Sequence, residues 1–540
     1  MQRSLFGCLL LLAQSMEHSH AGESPAESPQ PAETAPASPN GSAEAAPHFD
    51  IWEYRVDGNS ALDPRIIEKT VYPFLGPGKS IGDVEAARTA LEKAYHEAGY
   101  AAALVDIPEQ DVNEGIVFLK VGEGRVDRLK VTGSRYFSLG KIKAGVPALA
   151  QGKALNINEV QDQLGKLAGE SADRKITPVM RAGKTPGTVE VELAVEDELP
   201  LHGSLEMNGK NSANTTRLRL SGSLRYDNLW QRFHSASLQY QVSPEDYSNL
   251  EVWSGTYVMP LDFMDARLVF YGIGLNSRSA ISTVGSLGVV GNGNIYGLRL
   301  IEPLEGSDGF SHSVTLGWDY KDFGQITASQ TTPVTYSPFF LGYGGSIVHG
   351  GGSQTTFNLE ADFSINGLGN EAREFENKRH GATPDYLYFA GDIRHSHELP
   401  GDVRLMARLA GQVSESRLIN NEQFGAGGWQ GVRGYHETEQ LGDDGVNASL
   451  ELYSPDLARH AFDGLNQLRF LAFGDVARLW NHHPLAGSPS RFNLSSVGAG
   501  FRMQLFKHFI GELDWAYPFS AAPFVDVGDQ RLDFRMAYEF

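Results

Sequence analysis

Three things are scarce in this sequence of 540 residues: cysteine, long apolar runs and positive charge. The single cysteine, Cys8, excludes disulfide bonds within the chain and any metal site built from several cysteines. No apolar run reaches the roughly 18 residues of a membrane-spanning helix, which excludes a helical membrane protein. The chain has 45 basic and 66 acidic residues, and its net charge of −21 argues against non-specific nucleic-acid binding.

The first 47 residues have the composition of an export leader followed by a tether. Residues 1–21 contain Arg3, an apolar stretch over Leu5–Ala13 and small residues before a cleavage site after Ala21, which predicts a secretory signal peptide. Residues 22–47 consist mainly of alanine, proline, glutamate and serine. Such a segment buries too little apolar surface to offset its ordering entropy, so we expect a disordered linker.

Two stretches of similar length, 48–123 and 124–198, repeat one order of predicted elements: strand, helix, helix, strand, strand. Val56-Asp57-Gly58-Asn59 in the first matches Val131-Thr132-Gly133-Ser134 in the second. Each unit has one helix with apolar residues at helical spacing: Val84, Ala87, Leu91 and Tyr95 in the first, Val160, Leu164 and Leu167 in the second. A duplicated βααββ domain of the α+β class explains the repeat, and two unrelated small domains are the alternative.

Each unit is expected to leave a sheet edge that an extended protein segment can join as an added strand. The candidate edges are the predicted strands bounded by Ala101 and Ile107 in the first unit and by Ile176 and Ala182 in the second. The client expected at these edges is an extended, unfolded chain.

From residue 199 onward, helical spacing gives way to alternation of apolar and polar residues. One strand alternates Leu218, Leu220, Gly222, Leu224 and Tyr226 with arginines and serines, and the last alternates Leu532, Phe534, Met536, Tyr538 and Phe540 with mainly charged residues. One apolar and one wet face per strand is typical of a transmembrane β-barrel. A soluble β-sandwich, the alternative, would need a polar outer face.

Sixteen segments show this pattern, and strands of about ten residues cross a bilayer when tilted. A closed barrel also pairs every backbone group, as lipid requires. We therefore predict a β-dominated fold with a 16-stranded antiparallel transmembrane β-barrel over 199–540, preceded by two periplasmic βααββ domains. The predicted strands lie near 201–210, 216–226, 233–243, 249–258, 265–275, 293–302, 311–322, 335–345, 355–365, 385–398, 402–414, 446–455, 466–479, 492–504, 506–516 and 530–540.

One connection, between the strands ending near Val413 and starting near Asn447, is long and rich in glycine. It contains Gly431-Val432-Arg433-Gly434-Tyr435, which resembles the Val-Arg-Gly-Phe/Tyr signature of the Omp85 superfamily. The βααββ units resemble POTRA domains, the periplasmic modules of outer-membrane assembly and secretion pores. Taken with the signal peptide, linker and barrel, the chain resembles the outer-membrane transporters of two-partner secretion, of the haemolysin/haemagglutinin-secretion type.

The resemblance implies roles for particular residues. In that family the long loop folds back into the barrel, where its arginine meets a carboxylate in a Phe-x-Asp stretch of a later strand. Phe473-Gly474-Asp475 matches that stretch. The expected loop anchor is therefore Val432, Arg433, Gly434 and Tyr435, with Asp475 as its partner on the barrel wall.

The C-terminal strand, with Phe534, Tyr538 and Phe540, resembles the insertion signal read by the barrel-assembly machinery. The resemblance places the barrel in the outer membrane of a Gram-negative bacterium, in contact with its lipid, and the POTRA-like units in the periplasm. It implies a pore that recognises and secretes a large β-rich exoprotein of the haemolysin or adhesin kind. Six prolines within 22–47 argue against the N-terminal plug helix that such pores often carry.

Two other functions stay open. An insertase of the same superfamily would integrate its clients into the membrane, although assembly factors usually have more than two POTRA units. A passive porin would need neither the N-terminal units nor the loop at Val432–Tyr435. We expect no enzyme activity, cofactor or metal, because His395-Ser396-His397 has no ligand cluster nearby and no nucleophile elbow is present.

Overall fold

The computed structural model describes residues 48–540 except 113, 262–263, 277–281, 285–286, 290–291 and 328–329. The predicted signal peptide and linker, residues 1–47, lie outside the described residues. The chain forms two compact units, one ending at Pro200 and the other spanning Leu201–Phe540. None of the helices in the described ranges is long and apolar enough to cross a membrane.

The first half of the N-terminal unit is a small α+β domain. Its elements are β1 (Phe49–Ile51), β2 (Glu53–Asp57), α1 (Pro64–Val71), β3 (Gly76–Lys79), α2 (Ile81–Glu97), β4 (Leu104–Asp106) and β5 (Ile116–Gly122). Asp63 caps α1 by accepting the N–H of Arg65, and Ser80 and Asp83 form a capping box that starts α2. The expected face of α2 is buried, and β2, β5 and β4 form one sheet in that order.

One expectation for this half was wrong in detail, and one sheet was not expected. The strand expected over Ala101–Ile107 is only Leu104–Asp106, because the chain leaves α2 through Gly99 and makes a tight turn in which the Ala103 N–H donates to the Tyr100 carbonyl at 2.9 Å. A two-stranded sheet of β1 and β3 was not expected at all. Its segments are too short to show alternation.

Apart from β1 and β3 of the first half, the two halves have the same order of elements and the same pairing. The second half consists of β6 (Arg125–Thr132), α3 (Leu139–Ala144), α4 (Ile157–Gly169), β7 (Arg174–Ala182) and β8 (Thr188–Asp197). β8 lies between β6, to which it is parallel, and β7, to which it is antiparallel. In the first half β5 has the same central position between β2 and β4.

The second unit is a closed antiparallel barrel. Its strands are β9 (Leu201–Asn208), β10 (Arg219–Leu229), β11 (His234–Val242), β12 (Glu251–Pro260), β13 (Arg267–Asn276), β16 (Asn292–Ser307), β17 (Phe310–Thr327), β18 (Gln330–Tyr336), β19 (Phe339–His349), β20 (Ser353–Ser364), β21 (Tyr386–Leu399), β22 (Val403–Ser414), β25 (Asp444–Tyr453), β26 (Leu465–Trp480), β27 (Arg491–Leu505), β28 (Phe509–Pro518) and β29 (Arg531–Glu539). The connections hold β14 (Ser282–Val284), β15 (Leu287–Val289), α5 (Ala372–Lys378), β23 (Phe424–Ala426) and β24 (Gln440–Gly442).

These segments occupy sixteen positions around the barrel, as predicted, because β18 and β19 both pair with β17 and together form one interrupted strand. The continuous strand expected over 335–345 was therefore wrong: pairing breaks at Pro338, which has no N–H to donate. β29 pairs with β9 and closes the barrel, from Arg535↔Asn208 to Glu539↔Ser204.

The alternation of the sequence corresponds to the two faces of the barrel wall. Outer side chains such as Leu220, Leu224, Leu532 and Met536 are exposed, whereas Asp533 between the last two is buried on the lumen side. Connections at one end of the barrel are short, for example 308–309, 350–352 and 400–402. Two long ones, 365–385 and 415–443, leave the opposite end.

Candidate functional site

The glycine-rich connection 415–443, here called the lumen hairpin, folds back against the inner wall. β23 and β24 pair antiparallel, from Phe424↔Gly442 to Ala426↔Gln440, and residues 427–439 form the tip. At the tip Val432, Arg433 and Tyr435 are each 2% exposed or less. Val432 and Tyr435 belong to a buried apolar cluster with Ala477, Leu479 and Leu494 of the barrel wall.

Arg433 meets three carboxylates of the wall. Its Nε and Nη2 donate to the two oxygens of Asp475 at 2.7 and 2.8 Å, and its backbone N–H donates to the same carboxylate at 3.1 Å. Its Nη1 lies 2.7 Å from Glu451 and 3.5 Å from Asp514. The guanidinium also covers the ring of Phe473, 3.4 Å from the centroid, in a cation–π contact.

These partners face the lumen because their neighbours face outward. Leu450 and Val476 are exposed on the outer wall, so alternation places Ser449, Glu451 and Asp475 on the inner one. Ser449 donates its hydroxyl to Asp475 at 2.7 Å. The structure thus brings the two residues selected from the sequence together. The roles of Ser449 and Glu451 were missed, although both lie in register beside Asp475 and Phe473 on the neighbouring strand.

Gly434 and Tyr435 complete the tip. Gly434 has φ +92°, and a Cβ there would lie 3.2 Å from the Cβ of Ala516, so the position favours glycine for both conformation and space. Tyr435 is fully buried, donates its hydroxyl to the Ser520 carbonyl at 2.7 Å and accepts the Ser520 N–H at 3.2 Å. The tip is therefore fixed to β28 and the segment after it as well as to β26.

A second buried ion pair holds the start of the lumen hairpin. Glu422 accepts from the Lys321 ammonium at 2.7 Å, from the Tyr336 hydroxyl at 2.5 Å and from the Tyr388 hydroxyl at 3.0 Å. All four side chains are buried. Lys321 is 101 residues from Glu422 in the sequence, and no sequence motif marks either residue.

A third ionic contact ties the lumen hairpin to the other long loop. Arg379, just after α5, donates to both oxygens of Asp443 at the end of the hairpin. The Asp443 carboxylate is fully buried and also accepts the backbone N–H groups of Leu418 and His482, at 3.0 and 2.8 Å. The Gln423 side-chain amide donates to it as well, at 3.2 Å. These five donor groups make Asp443 a junction between three connections.

The loop 365–385, which contains α5, packs against an apolar core that includes Tyr336. Phe375 of α5 is 1% exposed and clusters with Tyr336, Tyr386 and Leu418, and its ring lies 5.4 Å from that of Tyr336. The sequence analysis missed α5. The run Ala372-Arg-Glu-Phe-Glu-Asn-Lys has good helix formers, and this is the signal that would have found it.

The C-terminal phenylalanine covers the barrel seam. Phe540 pairs with Gly203 through two backbone hydrogen bonds, at 2.9 and 3.0 Å, and its ring occupies the space that a Cβ on Gly203 would need. Tyr538 lies on the same outer face, with its ring centroid 6.3 Å from that of Phe540. Phe534 is half-buried beside Gly209. All three residues selected from the sequence therefore lie along the outer seam.

In the N-terminal unit, two of the four predicted edge residues lie in an edge strand and two do not. β7, with Ile176 and Ala182, is an edge of its sheet, and β4 is an edge of the other, but Ala101 and Ile107 lie outside any strand.

The pKa of Asp197, at the end of β8, is lowered. Burial raises it, but hydrogen bonds from the Ser134 hydroxyl and the N–H groups of residues 135–137 lower it more.

A buried carboxylate joins the two halves of this unit. Glu123, 3% exposed, accepts the Ser60 hydroxyl at 2.5 Å, the Ala61 N–H at 2.7 Å and the Arg125 guanidinium at 2.8 Å. Asn156, the cap of α4, donates to the Ala98 carbonyl of the first half at 3.1 Å. These contacts fix the two halves to each other.

Two family models match this chain. Residues 49–124 match the POTRA domain, ShlB-type, and residues 187–503 match the haemolysin secretion/activation protein ShlB/FhaC/HecB. The outer membrane transporter CdiB of Dickeya dadantii is 22% identical over 446 residues, 81% of this chain and 77% of that protein.

Two solved structures show the same fold. CdiB from Escherichia coli has a TM-score of 0.61 at 19% identity, covering 93% of each chain. BamA from Haemophilus ducreyi lacking POTRA domains 1–3 has a TM-score of 0.57 at 14% identity, covering 91% of this chain and all of that one. The chain belongs to the ShlB/FhaC/HecB family, the outer-membrane transporters of two-partner secretion, which secrete a partner exoprotein.

Proposed function

We propose that the N-terminal unit contains two POTRA domains, over 48–123 and 124–198, that receive the exoprotein and deliver it to the barrel of 199–540. The matching topology of the two halves supports this division. The hydrogen bonds from Asn156 to Ala98 and from Ile157 to Gly99 support a fixed arrangement of the two domains.

The client pairs with an exposed sheet edge in this proposal. β7 is the longer of the two predicted edges, with nine residues against three in β4. Its pairing partner β8 covers one side only, so the opposite backbone groups can receive an extended chain. Pro178 removes one backbone donor from β7 and so restricts the register of an added strand.

Photocrosslinking tests this capture step. A photoreactive side chain at Thr177 of β7 is expected to crosslink the co-expressed exoprotein during secretion, and the same group at Lys141 on α3 serves as the matched exposed control. Equal crosslinking from both positions, with normal secretion, would show that the edge has no special role.

The lumen hairpin is the gate in this proposal. Its tip and both ends are held by three buried ionic contacts, at Arg433, Glu422 and Asp443. An extended chain needs the space that the hairpin and α5 occupy, so these contacts must break or shift during export. The single observation that carries this proposal is the pairing of Arg433 with Asp475 inside the barrel.

Neither alternative explains these features as well. A passive porin has no need for a domain that binds a protein chain or for a lumen loop with three ionic anchors. Single-channel recordings with and without the exoprotein test this point, since only a protein-conducting pore should be blocked by its client. An insertase would leave its clients in the membrane, so fractionating cells after co-expression distinguishes the two products.

Biogenesis is part of the same proposal. The exposed aromatic face of β29, ending at Phe540, is the segment that we expect the barrel-assembly machinery to bind, and the exposed apolar wall is the surface that contacts outer-membrane lipid. We expect the partner to be a large β-rich exoprotein whose folding outside the cell supplies the driving force for export.

A further inference from the structure

A groove of about 600 Å³ lies on the outer wall of the barrel, over β12, β13 and β16. Its floor is formed by Gly255 and Gly272, which face each other directly across the β12–β13 pair. Both glycines point outward, because Trp253 and Phe270, two residues away on the same strands, are exposed. The walls are the side chains of Tyr257, Phe270, Tyr296, Leu298 and Trp318.

The Gly255 half of the floor is open, whereas a Cβ on Gly272 would lie 3.4 Å from the ring of Tyr296. Glycine inside a strand costs stability and often marks a site where another molecule approaches closely. The nearest atom to a Cβ built on Gly255 is a backbone oxygen 3.9 Å away. By contrast Gly274, on the same face, is covered by the ring of Trp253, which a Cβ would meet at 2.5 Å.

One end of the groove is polar. The Tyr257 hydroxyl lies 2.5 Å from Nδ1 of His234, the first residue of β11. His234 follows the short turn 230–233, in which Trp230 is 74% exposed. Short turns of outer-membrane barrels lie on the periplasmic side, and exposed tryptophan favours the membrane–water interface. The groove therefore runs from the periplasmic headgroup level toward the hydrocarbon.

The occupant must be a component of the membrane, because the outer wall faces lipid in this outer-membrane family. A second copy of the barrel is convex and would leave the concave floor empty. A single flexible hydrocarbon chain can lie along an open apolar groove with one polar end. We propose that the groove binds one acyl chain of a phospholipid from the periplasmic leaflet, with its glycerophosphate region at Tyr257 and His234.

Native mass spectrometry of the purified full-length protein tests this proposal. Wild type is expected to retain one phospholipid mass, and filling the floor with Gly255→Leu and Gly272→Leu is expected to lower the retained fraction at least about tenfold. Gly222→Leu is the matched control: Gly222 also faces lipid, between exposed Leu220 and Leu224, and its nearest side-chain atom lies 3.6 Å from a Cβ.

A second variant distinguishes a loss of lipid binding from misfolding of the barrel. Tyr257→Phe removes only the hydroxyl and is expected to lower phospholipid retention about fivefold while the barrel keeps its heat-modifiable migration on gels. Wild type without bound lipid, unchanged retention in the leucine variants, or a lipopolysaccharide mass in place of a phospholipid would each overturn the proposal.

Discussion

Replacing Arg433 with alanine tests the loop anchor most sharply. In wild type one guanidinium neutralises Asp475 and lies close to Glu451 and Asp514 in a buried part of the lumen. Arg433→Ala leaves Asp475 with only the Ser449 hydroxyl and one backbone N–H, whereas Asp514 keeps Arg502 at 2.6 Å. Removing one partner of a buried pair typically costs about 3–5 kcal/mol.

Replacing the partner Asp475 should cost less free energy than Arg433→Ala. Asp475→Asn keeps the shape of the side chain, and Arg433 keeps Glu451 at 2.7 Å, so we expect about 1–3 kcal/mol, the usual cost of weakened buried hydrogen bonds. The double variant should cost less than the sum of the two, because Arg433→Ala no longer leaves Asp475 uncompensated. We therefore expect a larger loss of free energy for Arg433→Ala than for Asp475→Asn. The loss in the double variant should be smaller than the sum of the two.

Single-channel recording of the purified full-length protein measures this loss. At about 1.4 kcal/mol per tenfold change, a loss of about 3 kcal/mol raises the open-to-closed ratio of the lumen hairpin about 100-fold. Arg404→Ala is the control: this lumen arginine pairs with Glu398 at 2.6 Å and is neither part of the lumen hairpin nor bonded to it. If Arg433→Ala opened no more often than Arg404→Ala, the anchor hypothesis would be refuted.

Four further results are expected. Glu422→Gln leaves the buried Lys321 charge without its ionic partner, so channel openings should again rise, by a similar factor of about 100. Asp443→Asn should make the α5 loop more sensitive to protease on intact cells, since it loses its ionic contact with Arg379, and unchanged cleavage would contradict this. Phe540→Ala should slow barrel assembly in pulse-chase experiments without changing the pore formed, because the ring covers the seam at Gly203. The pKa of Asp197 is lowered in the folded protein. Its contribution to stability is therefore complete above the pKa of the unfolded carboxyl and is lost as the pH falls through the folded pKa. Asp197→Asn should speed amide exchange over residues 134–137 at pH 7, but not at a pH below the folded pKa.

Regular patterns made the barrel predictable. Alternation over β10 and β29 identifies the two faces of the wall without any long-range information. The repeated βααββ order was readable because the second helix of each unit shows a buried face in its sequence. The strand at Ala101–Ile107 was mispredicted because a helix exit and a turn, rather than residue preference, determine where β4 begins.

The lumen was only partly predictable. Arg433 and Asp475 were found through a motif, and the structure places them in contact. Glu422, Lys321 and Arg379 lie in segments without a motif, and their pairing depends on which barrel positions the two long loops reach. Such contacts are set by tertiary packing between residues far apart in sequence, so composition and periodicity carry no trace of them.

A reversible crosslink tests most directly whether the lumen hairpin must move for export. Cysteines in place of Gly434 and Ala516 would have Cβ atoms 3.2 Å apart, slightly closer than in ordinary disulfides, and the sole natural cysteine lies in the predicted signal peptide. The oxidised double variant should stop secreting its exoprotein and, when reduced, recover to the level of the Gly434→Cys single variant, which measures the cost of a side chain at a position that favours glycine. Ala516→Cys alone should secrete equally under both conditions. Normal secretion through a fully oxidised, crosslinked barrel would contradict the account.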